Sequence, residues 1–275
     1  MKRIVTMQDL SCVGKCSLSL ALPAISAMGV ECTVLPTAVL SAHAAFPSPV
    51  AEPLDDFALR TVEYWEKLDF PVDGILTGYL AYPAQTRLAG RLMEALSRDD
   101  PQIFVDPAMA DQGRLYRGTA EEMIPAMTAL CARATVAMPN LTEAALMTGL
   151  PFRAEGERSY LRELAAGLRE KGVEQVLLTG AGTGDRVGVY WACGAQEAEL
   201  LLPREDRSCH GTGDLFAAVC CAGSVLGMEL PRAGLLAAEF VGRAIRATPR
   251  DRDSRYGVCF EQELGWLAAE TAKRV

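Results

Sequence analysis

Histidine and long apolar stretches are scarce in this chain. Its two histidines are His43 and His210, and although Cys12 and Cys16 lie four residues apart, no second cysteine pair has zinc spacing. No apolar run approaches the ~20 residues that a membrane-crossing helix needs. The opening segment MKRIVTMQDL has only a short apolar stretch and no small-residue cleavage pattern. We therefore expect neither a zinc site nor a membrane span, and we predict a first strand there rather than a signal peptide.

The excess of acidic residues excludes further classes of partner. A formal net charge of −8 argues against nucleic acid or an anionic membrane as the main partner. Most of the nine cysteines fall in apolar segments and their number is odd, which predicts buried free thiols and a reducing, cytoplasmic compartment. With 275 residues, half of them hydrophobic, the chain fits one large α/β domain spanning residues 1–275.

Short β-rich runs alternate with helical periodicity along the chain. The pattern predicts strands at 3–7, 32–40, 74–77, 103–105, 135–137, 175–178 and 186–191. It predicts helices at 17–28, 54–68, 84–96, 120–131, 143–148, 159–171, 214–226 and 230–248. This alternation indicates a mainly parallel central sheet with helices on both faces, whose ligands bind at the carboxyl ends of the strands. The polar segment 250–257 is either a surface loop or a flap near the site.

Two glycine-containing stretches resemble phosphate-binding motifs but fail in detail. Gly14-Lys15-Cys16 lacks the first glycine of a P-loop, and cysteine replaces its serine or threonine. Gly180, Gly182 and Gly184 follow a predicted strand, yet Asp185 stands in the place of the last glycine and another strand follows. We predict a hairpin turn there rather than a dinucleotide-binding loop.

The stretch HGTGDLFAAVCCAG, residues 210–223, places glycines directly before an apolar helix. The first turn of a helix presents unpaired N–H groups and the positive end of the helix dipole, so it favours an anion. Asp214 in that turn is either a capping carboxylate or a general base beside the anion.

Several motifs together resemble the ribokinase-like superfamily, and within it the pyridoxal kinases. They are His210–Asp214, Asp106–Asp111, Pro139–Glu143, Thr77–Leu80 and Ser41–His43, and they occur in the order that this superfamily has. The resemblance implies a ribokinase-like fold and transfer of the ATP γ-phosphoryl group to a primary alcohol, the 5′-hydroxymethyl group of a vitamin B6 compound. Asp111 also matches the motif Asp106–Asp111, and its role there is either functional or structural.

The resemblance also implies roles for individual residues. The backbone N–H groups of Gly211, Thr212 and Gly213 stabilise the transferring phosphoryl group, and Asp214 accepts the proton of the substrate hydroxyl. The residues expected around ATP and its Mg²⁺ are Asp106, Asn140, Thr179, Gly211 and Gly213, with Asp106 and Glu143 as the metal carboxylates. His210 is expected to orient the turn.

On the substrate side the resemblance points to Asp9, Ser11, His43 and Tyr79. Pyridoxal kinases usually have Gln-Ser-His after the first strand, whereas here Gln8 is followed by Asp9-Leu10-Ser11. Acid followed by serine is similar to the hydroxymethylpyrimidine kinases of thiamine synthesis, which often have cysteine near the position of Thr212. We expect Asp9 to pair with a substrate amine, which suits pyridoxamine and the aminopyrimidine equally.

Three alternatives to a B6 kinase therefore stand at this point. A hydroxymethylpyrimidine kinase is one, and a non-catalytic vitamin-binding homologue is another, although Asp214, Asp106 and Glu143 are all present. A sugar kinase ranks low, because the chain lacks the Gly-Gly doublet typical of those enzymes. Relatives are commonly homodimers and commonly need a monovalent cation. The alternating run 31–40 is a candidate edge strand or lid.

Overall fold

A nine-stranded sheet forms the centre of the protein in the computed structural model, which describes residues 1–68 and 70–274. Its strands are β1 (Arg3–Ser11), β2 (Glu31–Leu40), β3 (Ala51–Pro53), β4 (Gly74–Thr77), β5 (Gln102–Val105), β8 (Val136–Ala137), β9 (Gln175–Ala181), β10 (Arg186–Cys193) and β11 (Gln196–Pro203); β6 (Ala110–Asp111) and β7 (Arg114–Leu115) form a separate small hairpin. The order across the sheet is β11-β10-β9-β8-β5-β4-β1-β2-β3.

The six central strands, from β9 to β2, run parallel. Antiparallel strands close both sides, β3 on one and β10 with β11 on the other. All parallel strands end at one edge, and the loops that follow them therefore meet there. The short β3 pairs only with Ala38–Leu40, so most of β2 forms an edge of this sheet.

Nine helices pack on the sheet within the described part of the chain. They are α1 (Leu18–Ala27), α2 (Asp55–Leu68), α3 (Pro83–Ala95), α4 (Met123–Cys131), α5 (Leu141–Thr148), α6 (Arg158–Glu170), α7 (Thr212–Val225), α8 (Leu230–Ala247) and α9 (Leu264–Arg274). None of the helices in residues 1–68 and 70–274 is both long and apolar enough to cross a bilayer.

Alternation along the buried strands divides the core into two layers. Ile4, Leu76 and Phe104 point to the layer with α1, α7, α8 and α9, whereas the next residues along β4 and β5 alternate to the layer with α2 to α6. Helix α7 is buried on nearly every side, since it lies between α1, α8 and the sheet. The predicted α/β class, mainly parallel sheet and helices on both faces are confirmed.

The structure adds elements that the sequence analysis did not assign. These are β3, β6, β7, β11 and α9, together with 3₁₀ turns that include Ser254–Tyr256. The predicted helix 120–131 begins only at Met123, and β1 continues beyond Met7 to Ser11. The predicted hairpin is confirmed, because β9 and β10 pair antiparallel around residues 182–185. All nine cysteines are free thiols, as expected, but the expected burial holds for only four of them, Cys131, Cys209, Cys220 and Cys221. Cys12 is exposed and the other four are partly buried.

Candidate functional site

A cleft of about 1560 Å³ lies at the carboxyl edge of the parallel strands. This volume exceeds that of an ordinary pocket for one small ligand, so two ligands fit side by side. One end, here called the β1 end, is lined by Asp9, Cys16, Ser17, His43 and Tyr79. The opposite end, called the hairpin end, is lined by Val187, Val189, Leu202, Val241 and Trp266, from the β10–β11 hairpin, α8 and α9.

The turn before α7 lies between these two ends. Gly211 caps the helix with φ 82°, and a Cβ atom there would lie 2.4 Å from the carbonyl oxygen of Lys15. Any side chain at this position is therefore excluded by both conformation and space. Gly213 differs, because a Cβ atom there would meet no atom within 4 Å. Thr212 turns its hydroxyl inward and donates to the carbonyl oxygen of Cys209 at 3.2 Å.

Asp214 lies in the first turn of α7 and lines the cleft. Its side chain is half-buried. Burial raises its pKa to about 7; the backbone N–H of Ser17 opposes this shift and the negative charge of Asp9 adds to it. A carboxyl with a pKa near neutral is suited to accept a proton from a substrate and to release it again.

Asp9 lies at the carboxyl end of β1 and is 4% exposed. The Ser17 hydroxyl donates to its Oδ1 at 2.5 Å, and the Ser11 hydroxyl donates to its Oδ2 at 3.1 Å. Burial nevertheless raises the pKa of Asp9 above its usual value, although the two hydroxyls act in the opposite direction. Ser11 itself is buried and does not line the cleft, so its place is to hold Asp9.

His43 and Tyr79 complete the β1 end. The backbone N–H of Ala45 donates to His43 Nδ1 at 3.2 Å, which leaves Nε2 to carry the proton and donate to the carbonyl oxygen of Arg255 at 2.6 Å. Both ring nitrogens are thus occupied within the protein, and the ring holds segment 250–257 against the cleft. His210 packs beside it, with ring centroids 5.2 Å apart. Tyr79 is half-buried, and burial and the charge of Asp9 raise its pKa.

Asp106 and Glu143 form a buried pair of carboxyls below the turn of Gly211. Burial is the largest cause that raises the pKa of both groups, and the charge of Glu143 raises that of Asp106 further. The pKa of Glu143 is raised to about 7. Its oxygens accept backbone N–H groups of Met109 at 3.0 Å and of Asn140 at 2.9 Å. Glu143 therefore already has a structural task, while the described residues give the Asp106 side chain fewer partners.

Asn140 follows β8, and Thr179 lies beside it near the end of the neighbouring strand β9. The Asn140 side chain accepts from the N–H groups of Thr142 and Glu143 and donates to the carbonyl oxygen of Ala110 at 2.8 Å. With Glu143 it forms a capping box at the start of α5. Thr179 lines the cleft beside it, and its N–H donates to the carbonyl oxygen of Pro139 at 3.0 Å. The structure thus assigns the Asn140 amide a capping task, and its predicted contact with ATP stays a prediction.

No group of three or more His, Cys, Asp or Glu side chains is arranged to hold a metal ion anywhere in residues 1–68 and 70–274. Asp111, the remaining acid of its motif, is exposed at the rim of the cleft, and its carboxylate accepts the N–H of Gln112 at 2.8 Å. A cation at Asp106 and Glu143 would therefore need oxygen ligands from water or substrate, which is how Mg²⁺ is usually bound.

The sequence analysis missed several residues that line the cleft. Cys16 and Ser17 lie beside Asp9 and Asp214, and Tyr116 faces the carboxyl pair. Ser17 has φ 50°, an uncommon conformation for a residue with a side chain. Its place before the first helix was the one available signal. The hairpin end was missed entirely, because β11 and α9 were not assigned.

A turn of free N–H groups at a strand-to-helix junction, beside an acid in the same cleft of an α/β sheet, defines a ribokinase-like protein. The chain belongs to the family described as phosphomethylpyrimidine kinase, whose sequence profile matches residues 21–257.

Individual relatives come from two groups of vitamin kinases. A candidate phosphomethylpyrimidine kinase from Bacteroides thetaiotaomicron, crystallised with pyridoxal, is 32% identical with a TM-score of 0.91 and covers 97% of this chain and 95% of its own. The pyridoxine/pyridoxal/pyridoxamine kinase of Bordetella avium is 29% identical over 259 residues, 89% of this chain and 85% of its own. The hydroxymethylpyrimidine/phosphomethylpyrimidine kinase of Streptomyces coelicolor is 34% identical over 183 residues, 65% of each chain.

Proposed function

We propose that this protein is an ATP-dependent kinase that phosphorylates the 5′-hydroxymethyl group of a vitamin B6 compound. The observation that carries the proposal is the place of Asp214. It lies in the first turn of α7, beside the glycine turn, and between the two ends of a cleft large enough for two ligands. A base beside an anion-binding turn is what transfer of a phosphoryl group to a hydroxyl requires.

In this mechanism the alcohol occupies the β1 end and ATP the hairpin end. Asp214 accepts the hydroxyl proton as the oxygen attacks the γ-phosphorus, and the bond to the leaving ADP oxygen breaks in line. The N–H groups of residues 211–213 donate to the oxygens of the transferring group, and the α7 dipole adds to their effect. The missing side chain at Gly213 leaves the space in which this group moves.

The buried carboxyl pair fits a magnesium ion that accompanies ATP. Two buried acids whose pKa values are raised by burial and by the charges of neighbouring carboxylates are stabilised by a divalent cation. Asp106 is the better candidate for direct contact, because the Glu143 oxygens already accept backbone N–H groups. When bound there, Mg²⁺ would offset the negative charge of the ATP phosphates.

Two comparisons favour a B6 compound as the acceptor. The Bordetella avium B6 kinase matches 89% of this chain, whereas the Streptomyces coelicolor enzyme matches 65%. The Bacteroides relative binds pyridoxal despite being named for phosphomethylpyrimidine. The second candidate function is a hydroxymethylpyrimidine kinase, which the family match and the 34% identity of the Streptomyces enzyme favour.

The test is ATP-dependent turnover of the purified protein with pyridoxal, pyridoxamine, pyridoxine and hydroxymethylpyrimidine side by side. We expect turnover of at least one B6 compound with a kcat/KM at least tenfold above that of the pyrimidine, and loss of turnover in Asp214→Asn. Preference for the pyrimidine would move the protein to the second candidate function. Silence with all four compounds would refute both.

A further inference from the structure

The carboxylate of Asp9 is buried without a cation from the protein. It is 4% exposed, and its hydrogen bonds come from the hydroxyls of Ser17 and Ser11. Among residues 1–68 and 70–274, no ion pair to Asp9 is present. Arg3 and Lys15, the basic residues nearest in sequence, are held elsewhere: Arg3 by Glu31, and Lys15 by Glu261 and the carbonyl oxygen of Val258.

The other titratable groups around Asp9 do not compensate its charge. Asp214 is an acid whose own pKa the charge of Asp9 raises, and burial keeps Tyr79 and Cys16 uncharged at neutral pH. Besides the two serine hydroxyls, His43 lowers the pKa of Asp9, but its ring nitrogens hydrogen-bond to the backbone of Ala45 and Arg255 and not to Asp9. A buried carboxylate in such surroundings is costly unless a ligand pairs with it.

The two serines give Asp9 a fixed position from which to bind such a ligand. Ser17 and Ser11 each donate to a different carboxylate oxygen, which sets the plane of the group and leaves further lone pairs of both oxygens available. Asp9 also lines the cleft at the β1 end, next to Tyr79. Both hydroxyls favour the ionised form, so the site is built to hold a negative charge despite its burial.

We propose that Asp9 is the counter-ion for the exocyclic amine of the acceptor, so that this cleft favours the aminomethyl compound pyridoxamine over pyridoxine and pyridoxal. This inference rests on the proposed function, since it assumes that the β1 end binds the vitamin. A primary ammonium group is charged at neutral pH and donates to carboxylate oxygens in short, charge-assisted hydrogen bonds. Pyridoxine and pyridoxal carry a hydroxyl and an aldehyde at the same position, and neither supplies a positive charge there.

The experiment compares kcat/KM and Kd for pyridoxamine, pyridoxine and pyridoxal between the wild-type protein and Asp9→Asn. Asparagine keeps the shape and can still accept a serine hydroxyl, so it removes mainly the charge. We expect kcat/KM for pyridoxamine to fall about tenfold or more, and those for the other two to change less than about threefold. The matched control is Asp56→Asn, which removes the same charge from a carboxyl whose side chain is 83% exposed on α2, and it should change none of these values.

Equal losses for the three compounds in Asp9→Asn would overturn the proposal. Asp9 would then stabilise the protein around Ser11 and Ser17 and would not pair with the amine. Unchanged values for all three would overturn it as well. The Kd series separates this failure from failure of the proposed function. A wild-type protein that binds pyridoxamine more tightly than pyridoxine, with the difference lost in Asp9→Asn, supports the role of Asp9 even without turnover. Turnover of B6 compounds without that difference supports the kinase alone.

Discussion

The two ends of the cleft differ in whether their charged side chains are paired within the protein. At the β1 end a buried carboxylate, Asp9, accepts hydrogen bonds from the hydroxyls of two serines and has no ion pair among residues 1–68 and 70–274. At the hairpin end the arginines already have partners in the protein: Arg243 pairs with Glu263 at 2.6 Å, and Arg207 donates to the carbonyl oxygen of Ile245. The hairpin end therefore offers mainly apolar surface to a ligand, and the β1 end offers charge. We infer that shape selects the ligand at one end and charge selects it at the other.

The largest effect is expected at Asp214, where the two ends meet. Asp214→Asn removes the base, and kcat should fall about 10³-fold in steady-state assays, within the range usual for general-base catalysis. The variant should remain folded. A loss of kcat of less than tenfold would mean that Asp214 is not the base that accepts the hydroxyl proton.

The same variant should be more stable than the wild type at alkaline pH. The pKa of Asp214 is about 7 in the folded protein, above its value of 3.8 in an unfolded chain. Between these two values the unfolded chain loses the proton first, so the free energy of unfolding falls as pH rises. Asparagine has no such cost. We expect the melting temperature of the variant to exceed that of the wild type by about 2–4 °C at pH 8, and by less at pH 5. A constant difference across this range would contradict the raised pKa.

Alanine substitutions at Gly211 and Gly213 distinguish the part of the turn that is needed for folding from the part that is needed for phosphate binding. Gly211→Ala places a Cβ 2.4 Å from the Lys15 carbonyl oxygen at φ 82°, so both kcat and the melting temperature should fall. In Gly213→Ala the Cβ enters open space, so the melting temperature should be kept while kcat falls about 100-fold. Kinetics and thermal denaturation of the two proteins measure this difference. Equal melting temperatures would contradict the geometry of the turn.

The dependence of kcat/KM on pH should follow Asp214. Because the base must be ionised and burial raises its pKa to about 7, kcat/KM for the acceptor should fall about tenfold per pH unit below pH 7 and level off above it. A profile that is flat down to pH 5 would show that this carboxyl is not the base. Pyridoxine is the suitable acceptor, since it lacks the amine assigned to Asp9.

The smallest effect is expected at the hairpin end. Ala238 is half-buried on α8 and lines the cleft. Ala238→Leu narrows that end, so KM for ATP should rise up to about tenfold while KM for the vitamin stays within twofold. Two-substrate kinetics measure both constants. If KM for the vitamin changed more than KM for ATP, the vitamin and not ATP would bind at the hairpin end.

The same contrast explains which parts of the site could be predicted from the sequence. The glycines and Asp214 stand in one continuous motif, and the alternation of strands and helices places the motifs at one edge, so those predictions needed no long-range contact. Asp9 and Asp214 lie more than two hundred positions apart, and the effect of the Asp9 charge on the pKa of Asp214 arises only in the folded protein. The capping box of Asn140 and Glu143 is local, but their contacts with Ala110 and Met109 likewise arise only when distant segments pack together.

The hairpin end escaped prediction for a related reason. The alternation in β11 is interrupted by consecutive leucines, and its pairing with β10, from Arg186 with Pro203 to Cys193 with Gln196, is what makes it a strand. Helix α9 completes this end by placing Trp266 parallel to the Phe240 ring, with centroids 6.3 Å apart. Both features come from packing between distant segments and not from a local motif.

The most direct test of the central claim, that a base and an anion-binding turn join an alcohol site to an ATP site, is to follow the γ-phosphoryl group itself. Wild-type protein is incubated with ATP and pyridoxine, and the products are identified by phosphorus NMR and mass spectrometry. We expect one 5′-phosphorylated vitamin for each ADP formed. ATP consumed to ADP and inorganic phosphate, with the vitamin unchanged, would contradict it.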